Sequence, residues 1–168
     1  MREIVLGVAQ AGLITPLWSA RILEEWARAA ERIDGGQGVI ARGEIALLRA
    51  NWPNSEVQSD TALEESLYLP DVADRHVLAA AITCRAEILM TMNLRDFPRS
   101  TLAQHHVSPL HPDAVLRTLF DRHPKKVAAA TEQVRQKAEF LSGQNQPIRA
   151  LLKKARLPRL GKVLDRCS

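Results

Sequence analysis

One stretch, Leu69 to Pro98, restricts the fold more than any other. Pro70-Asp71 opens it with residues that start helices, because an Asp side chain can accept the orphan N–H groups of a first helical turn. Val77, Leu78, Ala81 and Ile82 then recur at helical spacing, with Cys84 near the end of the run. Glu87-Ile88-Leu89-Met90-Thr91 follows as an apolar strand of the buried kind and leads into a polar turn, Asn93 to Pro98. A helix feeding a buried strand is the unit from which parallel sheets are built, so the stretch predicts α/β architecture.

The flanking sequence is compatible with that reading. Ile4, Val5, Leu6 and Val8 predict a helix stopped by Gly12, and Leu13 to Trp18, interrupted by Pro16, predicts an edge strand where a missing N–H is tolerated. Ser19 is a good N-cap for a helix carrying Ile22, Trp26, Ala29, Ala30 and Ile33 on one face and ending at Gly35-Gly36. Gly43 to Trp52 predicts another helix, and Glu64 to Leu69 a strand. From Pro112 onward only helices are expected, with a joint at Gly143 to Pro147. The expected partition is therefore an α/β domain over 1–110 and a helical extension over 111–168.

Composition narrows the class. At 168 residues, 46% hydrophobic and 25% charged, the chain can bury a sizeable core and is not disordered. Two cysteines, Cys84 and Cys167, exclude a disulfide framework or an all-cysteine zinc site. The apolar run around Ile4 to Leu17 is too short and broken to span a bilayer, and the start has no signal-peptide pattern. A cytoplasmic, reduced protein without membrane partners is expected. Charge is uneven: residues 1–112 carry 10 Lys/Arg against 14 Asp/Glu, a net −4, and residues 113–168 carry 13 against 5, a net +8.

Candidate chemistry lies where element ends gather acidic groups. Asp71 and Asp74, three apart at a helix start, can present carboxylates on one face; simple capping explains Asp71 equally well. Asn93 and Asp96 offer oxygen ligands beyond a strand's carboxyl end, the usual place for ligands in open parallel sheets, although Asx-turn bonding would also satisfy them. On a helical wheel Glu25 falls at the edge of the Ile22/Trp26 face and Glu24 points to solvent, so Glu25 is the stronger candidate of the pair. His76 reads as a packing or supporting residue beside Asp74. His105, His106 and His111 lack partners at zinc-site spacing and read as loop. Trp18, Trp26 and Trp52 read as core or interface anchors, and Cys84 as buried and inert.

The run Leu69-Pro70-Asp71-Val72-Ala73-Asp74-Arg75-His76-Val77, the strand Ile88-Leu89 and the turn Thr91-Met92-Asn93-Leu94-Arg95-Asp96-Phe97-Pro98 together resemble the PIN-domain family. Pro16 to Trp26 resembles that family's edge strand and Glu-bearing helix, so the resemblance covers about residues 1–110. It implies a PIN-like parallel sheet flanked by helices. Carried over, Glu25, Asp74 and Asp96 match the acidic catalytic and metal-binding positions, with Asp71, Asn93 and Thr91 in support. The resemblance further implies Mg²⁺ or Mn²⁺, cleavage of single-stranded RNA, and, as in many bacterial members, the toxin role of a toxin–antitoxin pair. The family pattern opens with a strand ending in Asp before a helix like Arg2–Ala11, whereas this chain starts at the helix. An unpaired sheet edge left by a missing strand predicts a homodimer or a poorly soluble monomer. The alternative is a catalytically inactive PIN-like fold that binds nucleic acid or a partner protein through its basic tail. There Lys153, Lys154 and Arg156 are the candidate nucleic-acid contacts; a solvated helical face and docking to an acidic antitoxin are the other readings.

Overall fold

Ser19 accepts a hydrogen bond from the Ile22 N–H at 3.3 Å, and a helix begins there as the N-cap chemistry predicts. The structure is a computed structural model describing residues 1–33 and 35–166; Cys167, one of the two cysteines, lies outside the described residues. The chain divides into two compact units. One comprises Met1–Thr15, Met90–Met92 and Leu110–Ser168, the other Pro16–Leu89 and Asn93–Pro109. Compactness thus draws the partition differently from the expected 1–110 and 111–168, grouping the first helix with the C-terminal helices.

In the unit centred on residues 16–109, strand β1 (Trp18–Ser19) pairs in parallel with β2 (Glu56–Val57), Trp18 opposite Glu56. Between them run helices α2 (Ala20–Glu31) and α3 (Gln37–Asn51). The Leu13–Trp18 strand expectation is corrected: only Trp18–Ser19 has strand structure. The expected α2 face is corrected too. Leu23 and Ala27 are the buried residues of α2, while Ile33 is 78% exposed. α3 starts six residues before the expected Gly43.

Glu64 to Leu69 is not a strand. Asp60 accepts from the Ala62 and Leu63 N–H groups at 2.9 and 3.2 Å and nucleates helix α4 (Thr61–Ser66), whose Ala, Leu and Glu are good helix formers. A 3₁₀ turn (Val72–Asp74) leads into α5 (Arg75–Thr83), followed by β3 (Ile88–Met90), α6 (Arg99–Ala103) and β4 (Ser108–Leu110). β3 and β4 form a second two-stranded sheet. Leu67, Leu69, Leu78, Ala79, Ala81, Leu89, Phe97, Leu102 and Val107 make this unit's core. Cys84, expected to be buried, is half-buried at the end of α5.

The other unit contains α1 (Arg2–Gln10), α7 (Pro112–Arg122), α8 (Pro124–Ser142), α9 (Ile148–Lys154) and α10 (Pro158–Leu164). The run of helices from Pro112 and the break at 143–147 agree with the sequence reading. The unit's core joins Ile4 and Val8 of α1 to Leu116, Val127, Ala130, Leu152, Leu157, Leu160 and Leu164. Asp113 is buried, and its two carboxylate oxygens accept the backbone N–H groups of Arg159 and Leu160 at 2.9 and 3.0 Å. His111, read as loop, caps α7 by accepting the Asp113 N–H on Nδ1 at 3.1 Å. The fold is mixed α/β, mostly helical, with short strands.

Candidate metal centre

Asp71 is the cap of the 3₁₀ turn, accepting the Ala73 N–H at 2.9 Å. Three residues per turn bring side chains at i and i+3 into line, so Asp74 lies along the same side as Asp71. Asp74 makes no capping bond of its own, which leaves its carboxylate available. Asp96 comes from the polar turn after β3, where it accepts a hydrogen bond from the Asn93 side-chain amide. Carboxylate oxygens of Asp71, Asp74 and Asp96 all lie within 4.8 Å of one another.

Three carboxylates this close repel. Partial burial first, then the charges of Asp71, Asp96 and Glu25, push the Asp74 carboxyl above its ordinary range, with His76 acting in the opposite direction. His76 is 1% exposed on α5, and its Nε2 lies 3.1 Å from Glu25 Oε1. Neither ring nitrogen has the geometry of a hydrogen bond to any described residue. A buried imidazole held beside an acidic cluster without a hydrogen bond is a costly arrangement for packing alone.

The sequence candidates divide accordingly. Asp74 and Asp96 come together as expected. Asp71, read as a supporting residue, stands in the cluster on equal terms; its signal was the three-residue spacing. Glu25 is outside the three-oxygen cluster and exposed, with Arg21 Nε 3.2 Å from its Oε1 and His76 on the same oxygen. Glu24 is engaged elsewhere: Arg28 and Arg42 contact it at 2.9 and 3.1 Å, and these bonds hold its carboxyl below the usual range. Thr91 falls in the other compact unit, where its backbone N–H donates to the Leu110 carbonyl at 3.0 Å. Asp113 carries no warning in the sequence beyond its place after Pro112.

A helix start and a strand-end turn that gather three carboxylates and an amide define an α/β protein with an all-oxygen donor set, the kind that suits hard divalent cations. The chain is 43% identical over 56 residues to "Putative ribonuclease VapC50" of Mycobacterium tuberculosis (strain ATCC 25618 / H37Rv), a match covering 33% of this chain and 33% of that protein. The chain thus spans about a third of the length of this curated relative. No family model matches the chain. No solved structure matches it.

Proposed function

We propose that the chain is a PIN-type endoribonuclease that cuts single-stranded RNA with Mg²⁺ or Mn²⁺ held by Asp71, Asp74 and Asp96. The observation that carries this reading is the convergence of those three carboxylates, one of them raised in pKa, beside a buried imidazole. The partial identity to a protein named as a ribonuclease supports the same reaction class.

The donor set fits the ion: carboxylate oxygens dominate, and no thiolate takes part. When bound, such an ion polarises a phosphoryl oxygen and lowers the pKa of its water. The protein's residues supply the rest. Asp71 is oriented by its cap bond and Asp96 by Asn93, so both carboxylates are fixed before a ligand arrives. Glu25, held by Arg21 and lying 3.1 Å from His76 Nε2, is close enough to add negative charge at Asp74. The wider reading, a cytoplasmic toxin acting as a homodimer and held by an antitoxin, belongs to the same proposal. It is compatible with the absence, among the described residues, of any helix long and apolar enough to cross a membrane.

The test is cleavage of a fluorescent single-stranded RNA by the purified chain with Mn²⁺. Asp74→Asn should lower the rate by roughly 100-fold or more, since several kcal/mol of charge stabilisation depend on the ion. Cleavage that persists in chelator, or that survives Asp74→Asn, refutes the proposal. Calorimetry should show Mn²⁺ or Mg²⁺ preferred over Zn²⁺; tight zinc binding would point to a different centre.

A further inference from the structure

The C-terminal cations are not equivalent. Arg117 pairs with Asp121, Arg135 with Glu132 and Glu139, Lys137 with Glu3, and Arg149 with Asp165. Lys126 donates to the Ala11 carbonyl at the end of α1. Lys153, Lys154, Arg156, Arg159 and Lys162 are exposed, and none pairs with a carboxylate among the described residues; Arg122, Lys125 and Arg166 share this, but only the five crowd into ten consecutive positions. The segment 153–162 contains no acidic residue.

The fold concentrates these charges at one corner. α9 and α10 form a hairpin: the Arg149–Asp165 pair, at 3.1 Å, ties the start of α9 to the end of α10. Gly161 permits close packing, since a Cβ there would stand 3.2 Å from Leu152 Cβ. Lys153 and Lys154 therefore end one arm, Arg156 is in the turn, and Arg159 and Lys162 lie on the other arm. Leu152, Leu157, Leu160 and Leu164 anchor the hairpin from below.

The turn itself carries a cation where glycine is favoured. Arg156 has φ of 59°, and its N–H bonds the Lys153 carbonyl while the Leu157 N–H bonds that of Leu152, at 3.0 and 2.8 Å. This is a Schellman closure, whose left-handed position disfavours any residue with a Cβ. Favourable interaction with the carboxyl ends of α9 and α10 accounts in part for Lys153, Lys154 and Lys162, but not for Arg159 in the first turn of α10.

We propose that this corner is a binding surface for the phosphodiester backbone of single-stranded nucleic acid. The chemistry separates that ligand from an acidic protein. Protein interfaces concentrate energy in apolar and aromatic anchors, whereas no large hydrophobic side chain is exposed over residues 148–166 and the last aromatic residue is Phe140. Without a stacking platform the surface reads phosphates and not bases, so RNA and DNA single strands of one length bind comparably. That RNA is the relevant strand rests on the ribonuclease reading; the backbone chemistry does not.

The experiment measures fluorescence anisotropy of a labelled single-stranded oligoribonucleotide with the full chain in chelator, across a salt series. Binding is thereby read separately from cleavage, and failure of the metal-site proposal leaves the result standing. Five phosphate contacts at about 0.7 each give a log–log slope near −3.5, or an affinity loss of about 100-fold between roughly 50 and 200 mM salt. Replacing Lys153, Lys154, Arg159 and Lys162 together with Gln should leave a slope of about −0.7 and weaken low-salt binding at least ~10-fold. Arg156→Gly should raise the melting temperature while making the slope shallower by about 0.7, which separates charge from folding even if the fourfold variant fails to fold. Unchanged affinity and slope in folded variants overturns the proposal. Equal displacement of the RNA by poly-glutamate also overturns it, assigning the corner to an acidic protein.

Discussion

Asp74 is the residue at which charge, position and stability meet. Its carboxyl is raised by partial burial and by Asp71, Asp96 and Glu25, so the folded protein binds that proton more tightly than the unfolded chain does. The resulting stability is present at acid pH and is lost as pH rises through the raised folded-state value. In chelator at neutral pH, Asp74→Asn should therefore melt higher than the native sequence, and the gap should close as pH falls to the ordinary carboxylate range near 4. Mn²⁺ should raise the melting temperature of the native protein and do little for the variant, because only the native site gains from binding. Thermal scans at several pH values check this; superimposable pH profiles would remove the electrostatic account. The proximity of Asp71, Asp74 and Asp96 is legible in the sequence because each sits at an element end, whereas Glu25, expected with them, lies outside the cluster. The role of Asp113 is not legible, since its partners, the N–H groups of Arg159 and Leu160, lie more than forty positions away. Asp113→Ala would leave those groups unpaired in the interior, and equilibrium denaturation should show a cost of roughly 2–4 kcal/mol.

Helix ends explain much of what was right and wrong at the level of elements. Ser19, Asp60 and Asp71 each accept backbone N–H groups at a start, and two of the three were read correctly from their capping chemistry. Asp60 caps a helix too short to show itself in the sequence: the six residues of α4 are too few for periodicity to outweigh Leu67 and Leu69. The strands are unevenly legible: β3 lies inside the expected Glu87–Thr91 run, whereas β1 is displaced and β2 and β4 go unread, since two or three residues each is shorter than any alternation can reveal. The first turns of α3 are hidden for a different reason. Gly38, Ala41, Ile45 and Leu48 face inward while Val39, Ile40 and Leu47 are exposed, so apolar residues surround the helix and no single face stands out. At their C-terminal ends, α5, α6 and α9 are followed by left-handed residues, Arg85, His106 and Arg156, where α8 uses Gly143. Arg85→Gly should stabilise by about 0.5–1 kcal/mol, a rise of ~1–4 °C at this chain length. Gly143→Ala should destabilise by a similar amount; matched calorimetry on the two variants tests the contrast.

The chain's two ends share one core. Ile4 and Val8 come from the first helix, while Leu152, Leu157, Leu160 and Leu164 come from the C-terminal hairpin of α9 and α10, and these four leucines are four of the nine residues in that cluster. A basic C-terminal segment reads from sequence as an appendage, because charge dominates its composition and its apolar residues are spaced along two seven-residue helices. Those leucines are nevertheless fully or almost fully buried, as is Asp113, which holds the start of α10 in place. Burying a leucine is worth about 1.5–3 kcal/mol, so the four together contribute on the order of 6–12 kcal/mol. That is comparable with the whole stability of an ordinary domain, about 5–15 kcal/mol. Ending the chain after Pro147 should therefore disrupt the unit containing α1, α7 and α8, exposing Ile4, Val8 and Leu116 to solvent. The expected result is insoluble protein, or soluble material that binds a hydrophobic dye and lacks cooperative unfolding. A truncated chain that stays soluble and melts cooperatively at the full-length temperature would show that the C-terminal hairpin contributes charge without contributing core.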